Sequence, residues 1–477
     1  MSHLVKNTAY LTMASIAQKV IAFVYFSLIA NFFSPEDTGS YFIALAIVTV
    51  LMVLDDVGLT SVIIREVAKK TDEAVLWSRT VIGVKLVTMP LTAIVALLVP
   101  TLLGYGPDVS QLVYIAIIVM LADTLSLSFY GILRGLQILK FESIGIFVGQ
   151  IITTGIGISL LVTDNATLPL LVIALASGSV WNLLFSAHFI RKKLGWKAFV
   201  PTWQLGWEPL KIAYAFFLAA AFVKIYSYTD TIVLSKVLGN SAAGVYAVAF
   251  KLTYAFQFLP LAFVGALYPL MSTQAHESEK IKKTLLDAFW YMSILVAPIV
   301  FGIWSIAPEV VKAFYPSEYS DASITLMILI FVLIPIFLDF PLGSLLNATG
   351  KQKTKMVITG ITTVLNIILN LVLIHEIGIP GAAVAAVTSA TFMLFADWYF
   401  VRKIADISVS ELFFRIAPIF GVAIVMAATV FFVKIFVAFY IAIPIGAAVY
   451  VLGLLTTKTV SQKHLKKIRI FFEKKTT

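Results

Sequence analysis

The stretch KIAYAFFLAAAFVKIYSYTDTIVLSKVLG, residues 211–239, decides the fold. It stays mostly apolar over the thickness of a bilayer, so it predicts a transmembrane helix. Lys224 and Asp230 nevertheless lie within it. An ionisable side chain in hydrocarbon costs about 2.5–3.5 kcal/mol on insertion scales, and such residues mark functional sites by default. The stretch therefore predicts both a membrane protein and a site inside the membrane.

The same stretch belongs to an internal repeat. Residues 238–249 contain Leu-Gly and then Gly-Val-Tyr-Ala-Val-Ala, whereas residues 33–44 contain Phe-Ser and then Gly-Ser-Tyr-Phe-Ile-Ala, at an offset of 205 residues. The same offset carries Lys19 onto Lys224. The sequence therefore predicts two related halves, each with a lysine at about mid-membrane. Six spans per half is an even number, which relates the halves by an axis along the membrane normal.

Composition sets the fold class as an all-α polytopic membrane protein. Hydrophobic residues make up 60% of the chain and charged residues 13%, against about 45–50% and 25% in soluble domains. We predict fourteen spans, at about 8–32, 39–64, 78–104, 110–136, 142–163, 168–190, 209–238, 243–271, 284–307, 322–347, 354–375, 380–401, 412–436 and 438–457. The predicted domains are an N-lobe of six helices (1–190), an interfacial linker (191–208), a C-lobe of six helices (209–402), a helix pair (403–457) and a basic tail (458–477).

The basic residues support this topology. If the N-terminus is cytoplasmic, only Lys236, Lys312 and Lys434 of the 35 Lys and Arg residues fall in outer segments. Four more lie within spans, and the remainder are cytoplasmic, as the positive-inside rule requires. We therefore expect a plasma-membrane protein with both termini in the cytoplasm. The net charge of +10 then faces anionic lipid headgroups, and nucleic acid is not an expected partner.

Enzyme and metal-site patterns are not found in the sequence. It has no cysteine, no glycine-rich phosphate loop, no His-Glu-x-x-His, and its five histidines are scattered. We therefore predict no catalytic activity, no metal and no cofactor. Asn165-Ala-Thr167 matches a glycan acceptor, but such matches are common by chance.

Polar residues follow helical stripes within the spans, and a stripe facing lipid would be costly. They should therefore line a water-filled cavity or a polar helix contact. The candidate substrate-binding residues are Lys19, Lys224, Lys251, Lys85 and Arg134. The candidates for ion coupling are Asp123, Asp230 and Asp339. The alternative is structural pairing of the four lysines with Asp55, Asp56, Asp123, Asp230 or Asp339. Pairing explains Lys19 and Lys224 less well, because a structural pair need not recur in both halves.

Several segments, taken in order, resemble the oligosaccharide (polysaccharide, Wzx-type) flippase branch of the MOP exporter superfamily. They are Asp56-Val-Gly-Leu59 with Ile64-Arg65-Glu66, Leu238-Gly239 with Gly244-Val-Tyr246, Tyr315-Pro-Ser-Glu-Tyr319, Leu346-Asn-Ala-Thr-Gly350-Lys351, and Asn366-Ile-Ile-Leu-Asn370 with Ile379-Pro-Gly-Ala-Ala383. The resemblance covers nearly the whole chain. It implies two six-helix lobes plus two helices, which is the MATE-like arrangement, and it implies alternating access.

The resemblance also implies a function, the transfer of a polyprenyl-(pyro)phosphate-linked oligosaccharide from the cytoplasmic to the outer leaflet. Such flippases often have a cationic cavity, which Lys19 and Lys224 suit. The expected partners are this substrate, anionic lipids and polysaccharide-assembly proteins, and we expect a monomer. The alternatives are a cation-coupled multidrug antiporter and a lipid II flippase. A membrane glycosyltransferase is disfavoured because the predicted outer loops are short.

Overall fold

The computed structural model describes residues 3–274 and 277–460. In these residues, seventeen α-helices follow one another. They are α1 (His3–Phe32), α2 (Pro35–Asp56), α3 (Leu59–Lys69), α4 (Ala74–Leu102), α5 (Pro107–Gly135), α6 (Lys140–Val162), α7 (Leu168–Leu194), α8 (Glu208–Leu238), α9 (Asn240–Tyr254), α10 (Phe258–Thr273), α11 (Ser278–Phe314), α12 (Ala322–Leu329), α13 (Leu333–Ala348), α14 (Gln352–Ile377), α15 (Ile379–Ala405), α16 (Val409–Val433) and α17 (Phe439–Thr456).

Fourteen helical segments in the described part of the chain are long and apolar enough to cross a membrane. This count confirms the predicted all-α polytopic fold. Most spans coincide with a single helix, whereas α12 and α13 together form one span through a short 3₁₀ turn. The helix α3 is too short to cross a bilayer.

The second predicted span, 39–64, is interrupted. Its helix ends before Val57 and Gly58, whose φ angles of 51° and 74° lie in the left-handed region. A Cβ atom on Gly58 would lie 2.5 Å from the backbone nitrogen of Phe217 and 2.6 Å from the carbonyl oxygen of Ala213, both on α8. Only glycine allows this approach together with a positive φ. The chain therefore turns here and continues as α3.

The eighth predicted span, 243–271, is also divided. The helix α9 ends at Tyr254, a 3₁₀ turn covers Ala255–Gln257, and α10 follows. Pro260 lies in the first turn of α10 and has no N–H, so it cannot continue the hydrogen-bond ladder from the preceding turn. The apolar pattern alone does not reveal this division, because both pieces are predominantly hydrophobic.

The chain forms two compact units. The first comprises residues 1–255 and 359–385. In it, α5 and α6 pack on α7, α1 packs on α6, and α2 contacts α5, α8 and α9. Its core contains large buried side chains such as Ile43, Leu112 and Met120. A second core lies around Leu59 and Ile63 of α3, which explains why this short helix is held in place.

The second unit comprises residues 256–358 and 386–477. Within it, α11 packs on α12, α13 and α16, and α17 packs on α16. Grouping by contacts differs from dividing the chain by its repeat, so the two six-helix lobes stay a prediction. Most of the predicted basic tail, residues 461–477, lies outside the described residues.

Candidate functional site

The repeat found in the sequence corresponds to a contact between α2 and α9. A Cβ atom on Gly39 would lie 1.8 Å from the carbonyl oxygen of Asn240, and one on Gly244 would lie 1.9 Å from that of Pro35. Each glycine also faces the backbone nitrogen of the other. Asn240 Nδ2 donates to Ser40 Oγ at 3.0 Å. The two glycines at corresponding positions of the repeat therefore contact each other reciprocally, with backbone against backbone.

Lys19 and Lys224 lie on α1 and α8 of the first unit, where Lys19 is exposed and Lys224 is partly buried. Within residues 3–274 and 277–460, no carboxylate forms an ion pair with either ammonium group. No carboxylate charge from these residues acts on either ammonium group. Pairing with an aspartate, the structural alternative, is therefore not seen for these two lysines.

Lys251 is a third lysine of this kind. Its Nζ lies 5.3 Å from the ring centre of Phe26 on α1 and 5.4 Å from that of Phe42 on α2. Cation–π contacts of this kind stabilise a cation by about 0.5–2 kcal/mol but leave its charge in place. No carboxylate in the described part of the chain faces it. The charge of Lys251 is therefore available to an anion.

The depths of these lysines follow from helix geometry. Because α8 and α9 are joined by Gly239 alone, they run antiparallel, and the hydrogen bond between Tyr246 and Asp230 fixes their register. Lys224 precedes Asp230 by six residues and Lys251 follows Tyr246 by five, so both lie about 8–9 Å from this bond, on the same side. On α1, Lys19 lies seven residues before Phe26, or about 10 Å. The three cations are thus within about two helical turns in depth.

Asp230 is a buried carboxylate held by neutral groups. Tyr246 Oη donates to its Oδ2 at 2.7 Å, and Asn370 Nδ2 donates to its Oδ1 at 2.7 Å. Asn370 Nδ2 also contacts the Oδ1 of Asn366 at 3.1 Å. The sequence predicted Asp230 but not the roles of its partners. Two asparagines four residues apart on one face of an apolar helix were the signal that could have found them.

Lys85 belongs to a structural pair. Its side chain is 2% exposed, its Nζ lies 3.3 Å from Asp55 Oδ1, and it donates to the Asp55 carbonyl at 2.9 Å. The hydroxyl groups of Thr88 and Thr124 also donate to the Asp55 carboxylate. This arrangement is the pairing alternative stated from the sequence. The charge of Lys85 is compensated where it lies.

Arg134 is also paired. Its Nε donates to Glu142 Oε2 at 2.6 Å, and its Nη2 contacts Glu142 Oε1. A bidentate arginine–carboxylate pair is among the stronger polar contacts. Tyr130, one turn earlier on α5, donates to Asn182 Oδ1 at 3.1 Å. Asp123 is partly buried on α5, and its carboxylate accepts a hydrogen bond from Ser179 on α7.

Asp339, the remaining candidate, lies in the second unit. Lys355 Nζ is 2.7 Å from Asp339 Oδ2, and it also contacts Asp397. The sequence did not predict either partner. The candidate residues therefore divide into three lysines without a carboxylate, two aspartates held by neutral groups, and three residues engaged in ion pairs.

Two family profiles match the chain. The profile described as "Polysaccharide biosynthesis protein" matches residues 4–275. The profile described as MatE matches residues 215–372. The first match covers more than half of the sequence.

Individual proteins are also similar. The "Probable low-salt glycan biosynthesis flippase Agl15" of Haloferax volcanii is 25% identical over 392 residues, which cover 81% of each chain. The "Succinoglycan biosynthesis transport protein ExoT" of Rhizobium meliloti is 22% identical, over 66% of this chain and 63% of its own. Among solved structures, "Lipid II flippase MurJ, inward closed conformation" superposes with a TM-score of 0.77 at 18% identity, over 93% of this chain and 97% of that one. This likeness supports the fold.

Proposed function

Because the chain belongs to the polysaccharide biosynthesis protein family, we propose that it is a flippase for a polyprenyl-(pyro)phosphate-linked oligosaccharide. It moves this lipid from the cytoplasmic to the outer leaflet of the plasma membrane by alternating access, for polysaccharide or glycoconjugate assembly. Both termini are cytoplasmic in this proposal. The protein is a monomer, performs no catalysis, and meets anionic lipids and polysaccharide-assembly proteins as partners. The names of the relatives, a glycan biosynthesis flippase and a succinoglycan transport protein, support this substrate class.

One observation carries the proposal: Lys19, Lys224 and Lys251 have no carboxylate partner among the described residues. Each costs about 2.5–3.5 kcal/mol to place in a membrane. Three like charges in one unit also repel one another, so they destabilise the protein when nothing binds. When a phosphate or pyrophosphate group binds, the three lysine charges stabilise the protein instead, because hydrogen bonds between ionised partners are about twice as strong as neutral ones.

The lysines thus bind the phosphate head, the sugar occupies polar space beside them, and the polyprenyl tail stays in the bilayer. Lys85 and Arg134 are not included in the proposed binding set, because each already has a carboxylate. Asp123, Asp230 and Asp339 stay in the proposal as candidates for proton or cation coupling. The carboxylates of Asp123 and Asp230 are held by neutral donors, so an ion could bind there without first displacing a lysine or arginine.

The test is transport by the full chain in proteoliposomes. The probe is a polyprenyl-diphosphate-linked saccharide with a fluorescent label, and the readout is its exposure to an impermeant quencher. We expect the double variant Lys19→Ala, Lys224→Ala to lose transport while remaining folded. A double variant at two exposed lysines, Lys312→Ala with Lys351→Ala, removes the same charge and should transport normally. Wild-type transport by the first variant would rule out the proposed site.

A multidrug antiporter is the second candidate, because the MatE profile also matches. Binding of organic cations requires a site dominated by carboxylates, and three uncompensated ammonium groups repel such ligands. The same proteoliposomes should therefore show no uptake of a cationic dye in exchange for protons or sodium. Dye uptake without movement of the labelled lipid would favour the antiporter. Movement of lipid II alone, without other lipid-linked saccharides, would favour the third candidate, a lipid II flippase.

A further inference from the structure

A second intramembrane charge cluster lies in the other unit, where three helices each contribute one residue. These are Asp339 of α13, Lys355 of α14 and Asp397 of α15. Lys355 Nζ lies 2.7 Å from Asp339 Oδ2 and also contacts Asp397 Oδ2. The side chain of Asp397 is fully buried, whereas that of Lys355 is 21% exposed. We call these three residues the acidic triad.

The charges of the acidic triad do not balance. It contains one ammonium and two carboxylate groups, which leaves one negative charge if both carboxyls are ionised. Asp339 and Asp397 are two carboxylates whose charges act on Lys355. The helix α10, which packs on α13, contains no charged residue, and on α11 Asp287 and Glu309 form ion pairs elsewhere. An unbalanced buried charge is costly, because little water is present to stabilise it.

The hydrogen bonds of the acidic triad are also incomplete. Asp339 Oδ1 and Asp397 Oδ1 are both fully buried, and neither has a hydrogen-bond partner in the part of the chain that the structure describes. The two carboxyl groups lie within hydrogen-bonding reach of each other. Two carboxylates cannot form such a bond, since each only accepts, whereas one protonated carboxyl can donate to the other. A single proton would therefore balance the charge and complete the hydrogen bonds.

We propose that Asp339 and Asp397 hold one exchangeable proton between them, and that this proton is the ion exchanged for the lipid-linked substrate. The binding step adds one proton to a carboxylate and needs no other reactant. The exchange of this proton for substrate rests on the proposed function, whereas the proton site itself does not. Lys355 lies in the first turn of α14 and its side chain is 21% exposed, so the proton reaches the acidic triad from this end of the helix.

A metal ion fits this site poorly. Lys355 already occupies the space between the carboxylates at hydrogen-bond distance, and its positive charge repels a second cation. Oxygen-seeking cations also need several oxygen ligands, about six to eight for calcium, and the acidic triad offers two free oxygens. A proton needs only the two oxygens that are there.

Infrared spectroscopy of the full chain in lipid tests the proton site. At neutral pH, we expect a carboxylic acid C=O band that shifts in D₂O. Asp397→Asn should remove this band, because one lysine and one aspartate balance without a proton. The matched control Asp287→Asn lies in a one-to-one pair with Arg415 and should leave the band unchanged. A spectrum unaltered by Asp397→Asn would overturn the proton site. A carboxylic acid band that appears only after choline replaces sodium in the buffer would also overturn it.

The coupling of this proton to lipid transport is tested by measuring transport under a pH gradient. Wild-type proteoliposomes should transport the labelled lipid faster with a gradient than without, and Asp397→Asn should transport at the same rate in both. If Asp397→Asn loses the infrared band but keeps its response to the gradient, the coupling role is overturned while the proton site stands. If the wild type moves no lipid at all, the proposed function and the coupling role fail together, and the spectroscopic result still decides the proton site.

Discussion

Lys85 and Lys251 lie in the same unit and both project among apolar side chains, yet their surroundings differ. Lys85 has the Asp55 carboxylate and carbonyl, and two threonine hydroxyl groups complete the shell around that aspartate. Among the described residues, Lys251 has no carboxylate partner and instead faces the rings of Phe26 and Phe42. A lysine with its own counter-ion contributes to folding, whereas a lysine with only aromatic neighbours keeps its charge for a ligand. The contrast separates structural from functional charge within one membrane domain.

The largest expected effect is on stability at the structural site. Lys85→Met leaves Asp55 buried without its cation, which should lower the free energy of unfolding by about 3–5 kcal/mol. Lys251→Met should change it by about 1 kcal/mol or less, because the lost cation–π contacts are offset by the removal of an uncompensated charge. Equilibrium unfolding of the purified chain in mixed micelles measures both. The double variant Lys85→Met, Asp55→Leu should recover most of the loss. Equal destabilisation by the two single variants would break the comparison.

The next effect is on transport. Lys251→Met should slow the initial rate of lipid transport by about 10- to 100-fold, since a hydrogen bond between charged groups is worth about 1.5–3 kcal/mol. Lys251→Arg keeps the charge and should stay within about tenfold of the wild type. Lys353→Met, at an exposed position, provides the matched control and should transport at the wild-type rate. A normal rate for Lys251→Met would show that its free charge is not used.

The smallest effect is expected at Asp230, and Asp55 provides the comparison. Asp230→Asn should alter the free energy of unfolding by less than about 1 kcal/mol, because an amide can also satisfy Tyr246 and Asn370. Asp55→Asn should cost about 3 kcal/mol or more, because it strands Lys85. The same unfolding assay compares them. If Asp230→Asn proves as damaging as Asp55→Asn, a cation must already compensate Asp230. Asp230 would then be a structural charge and not one held by neutral groups.

Much of the fold could be predicted from the sequence. Twenty-residue apolar runs and the asymmetry of basic residues depend only on the bilayer, so the fourteen spans required no knowledge of packing. The repeat also identified Gly39 and Gly244 as equivalent. The break at Val57 was missed because an apolar β-branched residue gives no sign of a left-handed conformation. It follows from the approach of Gly58 to α8, which is a tertiary contact.

The candidate site was predicted only in part. Lys19, Lys224, Lys251 and Asp230 could be found because a charge in an apolar run is conspicuous by itself. Whether such a charge is paired depends on how two helices are rotated and at what depth they meet, and single-sequence patterns do not contain this information. Lys85–Asp55 was therefore one alternative among several, and Arg134–Glu142 and Lys355–Asp397 were not foreseen.

The reciprocal contact of Gly39 and Gly244 bears on the origin of the chain. Gly39 contacts Asn240 and Gly244 contacts Pro35. Pro35 and Asn240 correspond to each other at the repeat offset, as the two glycines do. This is the pattern of an isologous interface, in which the same surface patch serves both partners. A half-length ancestor would have met its own copy at this glycine, on a twofold axis. Fusion of two such copies would have freed them to diverge, and Asp230, whose counterpart at the repeat offset is Tyr25, is a position where the two halves differ.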